Sequence, residues 1–173
     1  MARAFVGVGS NTDPAENVSK AIRLLARRAR VLAVSTVYEA ESEGGREQPP
    51  YYNCVVEVET ELPALEFKRS VLRQIEQELG RQRSSDRYAP RTIDLDLILY
   101  DDLVAATDEL TLPDPEIAHR PFLAITLHEL APSLALPGSG VPIAEVAAAL
   151  PRERMKPLTR YTELLRKEIA DGP

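Results

Sequence analysis

Apolar and polar positions along this chain change period several times, and each change marks an element. "AFVGVG" (4–9) is a continuous apolar run ending in glycine and reads as a short buried strand. The polar stretch "SNTDPAEN" then leads into a helix. Asp13 can cap it, Pro14 suits its first position and Glu16 can close a capping box. Val18, Ile22, Leu25 and Ala29 share one side of this helix, which is predicted to run to about Arg30. "VLAVSTVYEA" (31–40) is rich in β-branched residues and predicts a strand, and "ESEGGREQPP" (41–50) a loop. "YYNCVVEVET" (51–60) alternates: Tyr52, Cys54, Val56 and Val58 on one face, Tyr51, Asn53, Val55, Glu57 and Glu59 on the other. A second helix is predicted from about Pro63 to Leu79, with Leu65, Leu72, Ile75 and Leu79 inward and Gly80 ending it. A basic loop, 81–91, precedes a strand at 93–100.

The order β-α-β-β-α-β predicts an α+β, ferredoxin-like fold: an antiparallel sheet with helices on one face and the other face free. Beyond residue 102 the pattern predicts an extended piece, a turn, a helix over 121–130 and a short helix at "IAEVAAAL". An amphipathic helix follows over 153–169, with Leu158, Tyr161, Leu165 and Ile169 on one side, as a C-terminal helical extension. With no repeat and 173 residues, the chain is read as a single domain, 1–173.

Composition narrows the function classes. A net charge of −6 argues against a general nucleic-acid or membrane-surface partner, since phosphate backbones select basic faces. The single cysteine, Cys54, excludes an intramolecular disulfide and falls on the core face among valines. The start has no signal-peptide pattern, and no apolar run is long enough to span a membrane, so a cytoplasmic location is expected.

The chemistry concentrates in "RYAPRTIDLDLILYDD" (87–102). Asp94 and Asp96 stand two residues apart in a strand, so they share a face at roughly 6.5–7 Å, while Leu95, Leu97 and Leu99 are assigned to the helix-covered side. Two carboxylates so placed repel each other, and a hard cation such as Mg²⁺, which takes one or two carboxylates with phosphate and water, relieves this. Arg81, Arg83, Arg87 and Arg91 precede them, and Pro90 argues against a continuous helix there. An arginine-rich loop feeding a two-aspartate strand suits a metal-bridged phosphate chain. On the neighbouring strand, Tyr51 and Asn53 face one way, and Asn53 offers a donor and an acceptor to a heterocycle with an amide edge.

These segments resemble the 6-hydroxymethyl-7,8-dihydropterin pyrophosphokinase family. Arg87, Tyr88, Ala89, Pro90, Arg91, Asp94, Leu95, Asp96, Leu97 and Ile98 fit its signature. "VGVGSN", "QPPYYNCVVEVET" and "LTLPDPEIAHRPFLAITLHELAP" fit three further segments in order, covering about residues 4–137. The resemblance implies transfer of pyrophosphate from ATP to 6-hydroxymethyl-7,8-dihydropterin in folate biosynthesis, with release of AMP. It implies that Asp94 and Asp96 bind two Mg²⁺ ions and that Arg83, Arg87 and Arg91 act with them in catalysis. Glu76, Arg83, Tyr88, Arg91, Leu97, Thr111 and Arg120 are implied on the ATP side, and Ala40, Tyr51, Asn53 and Phe122 on the pterin side. The implied partners are these two small molecules, with monomer and dimer both open.

The chain departs from the family at Asp114, where histidine is usual, and at Ala40, Glu41, Ser42 and Glu43, where the family has Thr-x-Pro and an apolar residue. These changes motivate an alternative: an altered relative that binds nucleotide or pterin without efficient transfer.

Overall fold

The computed structural model of the chain describes residues 1–40, 49–81 and 92–172. Strand β1 (Ala2–Ser10) leads to helix α1 (Pro14–Ala26), then strands β2 (Arg30–Val34), β3 (Tyr38–Ala40) and β4 (Tyr51–Thr60). Helix α2 (Ala64–Phe67) continues through a π-helical turn (Lys68–Leu72) into α3 (Arg73–Glu78), and strand β5 (Asp94–Tyr100) closes the unit. The sheet runs β5-β1-β4-β3, with β2 also on β4, and every pairing is antiparallel. β2 pairs Val56 to Glu59 of β4 and β3 pairs Tyr51 to Asn53, so the two act as one broken outer strand. This is the ferredoxin-like βαββαβ order.

β1 and β4 are central because both are apolar on both faces. Ala4, Val6 and Val8 join Cys54, Val56 and Val58 under α1, α2 and α3, with Ile22, Leu25, Phe67, Leu72 and Ile75 fully buried. Each such large side chain stabilises the fold by about 1.5–3 kcal/mol. Burial pushes the Cys54 thiol up to about 12, as befits a core residue.

The second face is only partly free. Helix α4 (Pro121–Leu130) and helix α5 (Ile143–Ala148) cover its middle, packing on Phe5, Val55, Ile98 and Leu99. At one end Arg3 pairs with Glu57 and lies over the Phe5 ring. The opposite end, at the C-terminus of β1, carries Asn53 and the two aspartates.

Several local expectations give way to tertiary partners. Asp13 precedes α1 as foreseen, but its backbone is left-handed (φ 40°) and its side chain caps nothing; α1 ends at Ala26 rather than near Arg30. The predicted strand 31–40 breaks after Val34. There Val55 N–H donates to the Ser35 hydroxyl, and Thr36 N–H goes to Glu129 instead of a ladder partner. In the second helix the π-helical turn inserts one residue, which rotates the preceding turn; Ala64 and Phe67 are buried and Leu65 is only half-buried. In β5 a bulge at Ile98 pairs Leu97 with Val6 but Leu99 with Phe5. Leu99 therefore joins the α4 side with Ile98 rather than the α1 side with Leu95 and Leu97.

The segment after β5 forms a small hairpin, β6 (Ala105–Ala106) with β7 (Thr111–Leu112), and a 3₁₀ turn, Pro115–Ala118, before α4. The predicted helix 153–169 begins later than expected. Lys156–Pro157 is a strand, β8, paired to β3, and the helix is α6 (Thr159–Ala170). α6 packs on the α1 side of the core through Leu165, with Leu158, Tyr161 and Ile169 against it. No helix among the described residues is long and apolar enough to cross a membrane.

Candidate active site

The site is laid out by strand register. Gly9 of β1 pairs with Asp94 on one side and Asn53 on the other, and Asn53 pairs in turn with Tyr38. One row therefore reads Asp94, Gly9, Asn53, Tyr38 across four strands. The next row holds Asp96, Gly7 and Val55, and Tyr51 pairs with Ala40 at the sheet's end. All share one face because strand residues two apart do. Two interstrand spacings, roughly 9–10 Å, separate the aspartate strand from the asparagine strand.

Glycine makes the floor between them. A Cβ on Gly9 would stand 2.7 Å from Asn53 Oδ1, so the carboxamide lies directly over this residue. A Cβ on Gly7 would find Leu123 Cδ2 at 3.6 Å, which shows that the start of α4 rests on the neighbouring row. Phe122, at that helix start, packs against the cluster containing Val55 and Leu123. Ser10, buried at the end of β1, donates to Thr92 O at 2.6 Å and so fixes the approach to β5.

Behind the aspartates stands a buried charge cluster. Glu76 accepts from Leu95 N–H at 3.0 Å and from Arg73 Nη1 at 2.7 Å, and it also pairs with Arg81. Arg81 Nη1 reaches Asp94 Oδ1 at 2.8 Å, and Arg73 Nη1 also donates to Leu95 O. Helix α3 and Arg81 just beyond it thus anchor the strand that carries the carboxylates. Among the described residues no hydrogen bond or ion pair clamps Asp96 in this way. Its tip meets solvent, but it stands in a concavity crowded by protein. That low-dielectric setting, then the charges of Asp94, Asp114 and Glu76, raise it to about 7.

Lys68, Arg73, Leu97, Thr111 and Asp114 line this concavity with Asp96. Asp114 donates its backbone N–H to Ile98 O, and its carboxylate accepts Glu116 N–H at 2.9 Å, capping the 3₁₀ turn. Burial is the main cause of its raised pKa. Arg120 is exposed and paired to Glu116.

Among the sequence-predicted residues, the structure brings Asp94 and Asp96 to one side of the face; Thr111 and Leu97 border the concavity at Asp96, although the Leu97 side chain joins the core on the α1 side. Ala40, Tyr51, Asn53 and Phe122 lie toward the other side of the face, and Glu76 sits beneath. Arg83, Arg87, Tyr88 and Arg91 lie outside the described residues, as do Glu41, Ser42 and Glu43. Sequence reasoning assigned no site role to Gly7, Gly9, Tyr38, Lys68 or Arg73, and it read Arg81 only as one cation of the phosphate-binding loop, not as the partner of Glu76 and Asp94. The glycines were visible only as a strand ending, and the alternation of Gly7 and Gly9 with Val6 and Val8 was their available signal.

Among the described residues no three ligating side chains converge as a preformed metal cage. Two carboxylates on one face, with Asp96 in an open concavity where burial and then the neighbouring acids raise its pKa, fit a cation that completes its shell with water and phosphate, as Mg²⁺ does.

Fold and site define a ferredoxin-like α+β protein with paired carboxylates and a carboxamide on one open end of its sheet. The sequence profile of the 7,8-dihydro-6-hydroxymethylpterin-pyrophosphokinase (HPPK) family matches residues 5–132, and the chain belongs to that family. It is 35% identical over 159 residues to 2-amino-4-hydroxy-6-hydroxymethyldihydropteridine pyrophosphokinase of Pseudomonas aeruginosa, covering 90% of this chain and 96% of that one. The Haemophilus influenzae protein of the same name is 33% identical over 144 residues, covering 82% and 89%. Folic acid synthesis protein fol1 of Schizosaccharomyces pombe is 33% identical over 98% of this chain, which spans only 23% of it. The structure of wild-type HPPK-DHPS of Plasmodium falciparum with pteroate superposes with a TM-score of 0.69 at 12% identity. It covers 90% of this chain, which spans less than half (47%) of that one.

Proposed function

We propose that the chain transfers pyrophosphate from ATP to the hydroxymethyl oxygen of 6-hydroxymethyl-7,8-dihydropterin, releasing AMP, as a step of folate biosynthesis. The observation that carries this reading is the row Asp94–Gly9–Asn53. It puts a carboxylate and a carboxamide on one face, about the span of a bicyclic ring and its one-carbon arm. The family membership supports the same chemistry.

In this reading Asn53 pairs its donor and acceptor with the pterin's amide edge, and Tyr51 and Phe122 offer ring faces to the heterocycle. Ala40 sits at the edge of that half. Leu97, Thr111 and Arg120 serve the nucleotide, and Glu76 holds Arg81 and the β5 backbone rather than a ligand. Asp94 and Asp96 would hold two Mg²⁺ ions, which supply charge neutralisation along the triphosphate. Arg83, Arg87, Tyr88 and Arg91 would complete the phosphate grip. We also read residues 1–173 as one cytoplasmic domain.

The test is an assay for AMP with ATP, Mg²⁺ and hydroxymethyldihydropterin, run on the wild type and on Asn53→Ala. AMP should form in proportion to pterin diphosphate, and Asn53→Ala should raise the pterin KM about tenfold or more by leaving the ring's amide edge unpaired. A protein that binds a non-hydrolysable ATP analogue but forms no AMP with the pterin would sink the proposal in favour of a binding-only relative.

A further inference from the structure

The C-terminal extension holds the strand that borders the asparagine end of the site. The backbone between Val34 and Glu39 makes few ladder bonds to β4, and partners from outside take most of its groups. Arg166 Nε donates to Val34 O at 2.9 Å. Thr36 N–H and its hydroxyl donate to Glu129, which Arg166 in turn pairs at 3.1 Å. Val37 N–H donates to the Thr162 hydroxyl at 2.9 Å, and Leu158 N–H donates to Val37 O at 2.8 Å. β8 then pairs Pro157 with Tyr38 and Lys156 with Glu39. Tyr161 sets its ring edge-on to Tyr52, centroids 5.5 Å apart, and its hydroxyl donates to Ala15 O.

Thr162 is the centre of this arrangement. It is buried to 2% exposure, accepts Val37 N–H and donates to Leu158 O at 2.8 Å. What it holds is the approach to β3, a strand of three residues whose Tyr38 pairs with Asn53 and whose Ala40 pairs with Tyr51. So short a strand has little register of its own, since register is set by pairing and by the groups that pin its ends.

We propose that the segment from Lys156 to Ala170 is a positioning element for the heterocycle half of the site, acting through Thr162 on β3. This rests on the reading that the Asn53 end binds the pterin. It gives the extension a role distinct from subunit contact, because the face of α6 that carries Thr162 and Leu165 is already turned onto the body.

Thr162→Val keeps the side chain's shape but cannot accept the Val37 N–H. Calorimetry should show pterin affinity, measured with Mg²⁺ and a non-hydrolysable ATP analogue, weakened about five- to tenfold, the worth of one misplaced hydrogen-bonding group. Affinity for the nucleotide analogue should stay within about twofold. Thr162→Ser should restore pterin binding. Amide exchange should quicken at Val37–Ala40 and stay unchanged at Leu95–Leu99. Should Thr162→Val not fold, Arg166→Gln, at an exposed residue, is expected to give a smaller effect of the same sign. Equal losses for pterin and nucleotide, or unchanged pterin binding despite faster exchange, would overturn the positioning role. A wild type that binds the nucleotide analogue but no pterin overturns instead the underlying reading of the site, and the exchange data then judge the strut by itself.

Discussion

Gly7 and Gly9 sit on the site face of β1, but their surroundings differ, and the difference makes a residue-scale prediction. Alanine at Gly9 would place its Cβ 2.7 Å from Asn53 Oδ1, below any real contact, and the short asparagine side chain must swing away. Alanine at Gly7 meets Leu123 at 3.6 Å, ordinary van der Waals distance. Gly9→Ala should therefore weaken pterin binding about tenfold by misplacing one hydrogen-bonding amide, while Gly7→Ala stays within about twofold. Calorimetry with the pterin checks this, and equal effects of the two substitutions would refute the geometry. Asp94 and Asp96 were legible from sequence because a strand's period of two is a local property. Arg81 was visible as one cation among several, but its link from Glu76 to Asp94 exists only once α3 lies behind β5.

At the scale of elements, the β-α-β-β-α-β order was readable because each block has its own hydrophobic period. What escaped was every place where an element is interrupted to satisfy a distant partner. The break between β2 and β3 needs Glu129 and Thr162 from α4 and α6. The bulge at Ile98 needs β1 alongside, and it alone decides that Leu99 faces α4. Such partners lie far off in sequence, so local propensity carries no sign of them. Ser35 tests the strand break directly. It is fully buried; its hydroxyl accepts Val55 N–H at 2.9 Å and donates to Thr36 O at 3.0 Å. Ser35→Ala strands a buried N–H, which costs about 1–3 kcal/mol. In a thermal scan Tm should fall by roughly 3–10 °C for a chain of this size. An unchanged Tm would mean the outer strand does not need this bond.

For the whole molecule, the acidic end of the sheet couples stability to pH and to ligand. Crowding by protein, then Asp94, Asp114 and Glu76, raise Asp96 from 3.8 to about 7, and Asp114 shifts the same way, chiefly through burial. The folded value exceeds the unfolded one, so between about pH 4 and pH 7 the native state binds more protons than the unfolded chain. The stability this confers is complete below the lower value and is lost as pH rises through the upper one. A net charge of −6 adds no relief at neutral pH. With EDTA present, wild-type Tm should drop further between pH 5 and pH 8 than that of Asp96→Asn. The gap should be about 2–4 °C, since solvent at the carboxylate tip holds the effect near ~1 kcal/mol. Mg²⁺ with a non-hydrolysable ATP analogue, at about a hundredfold over its Kd, should raise wild-type Tm at pH 8 by roughly 5–10 °C. In Asp96→Asn the same addition should give under about 2 °C, because losing one of the two carboxylates would weaken the proposed cation link between chain and triphosphate. Parallel pH profiles would show that Asp96 carries no excess proton in the fold. A full ligand shift in the variant would move the cation away from the aspartate pair and on to the phosphates alone.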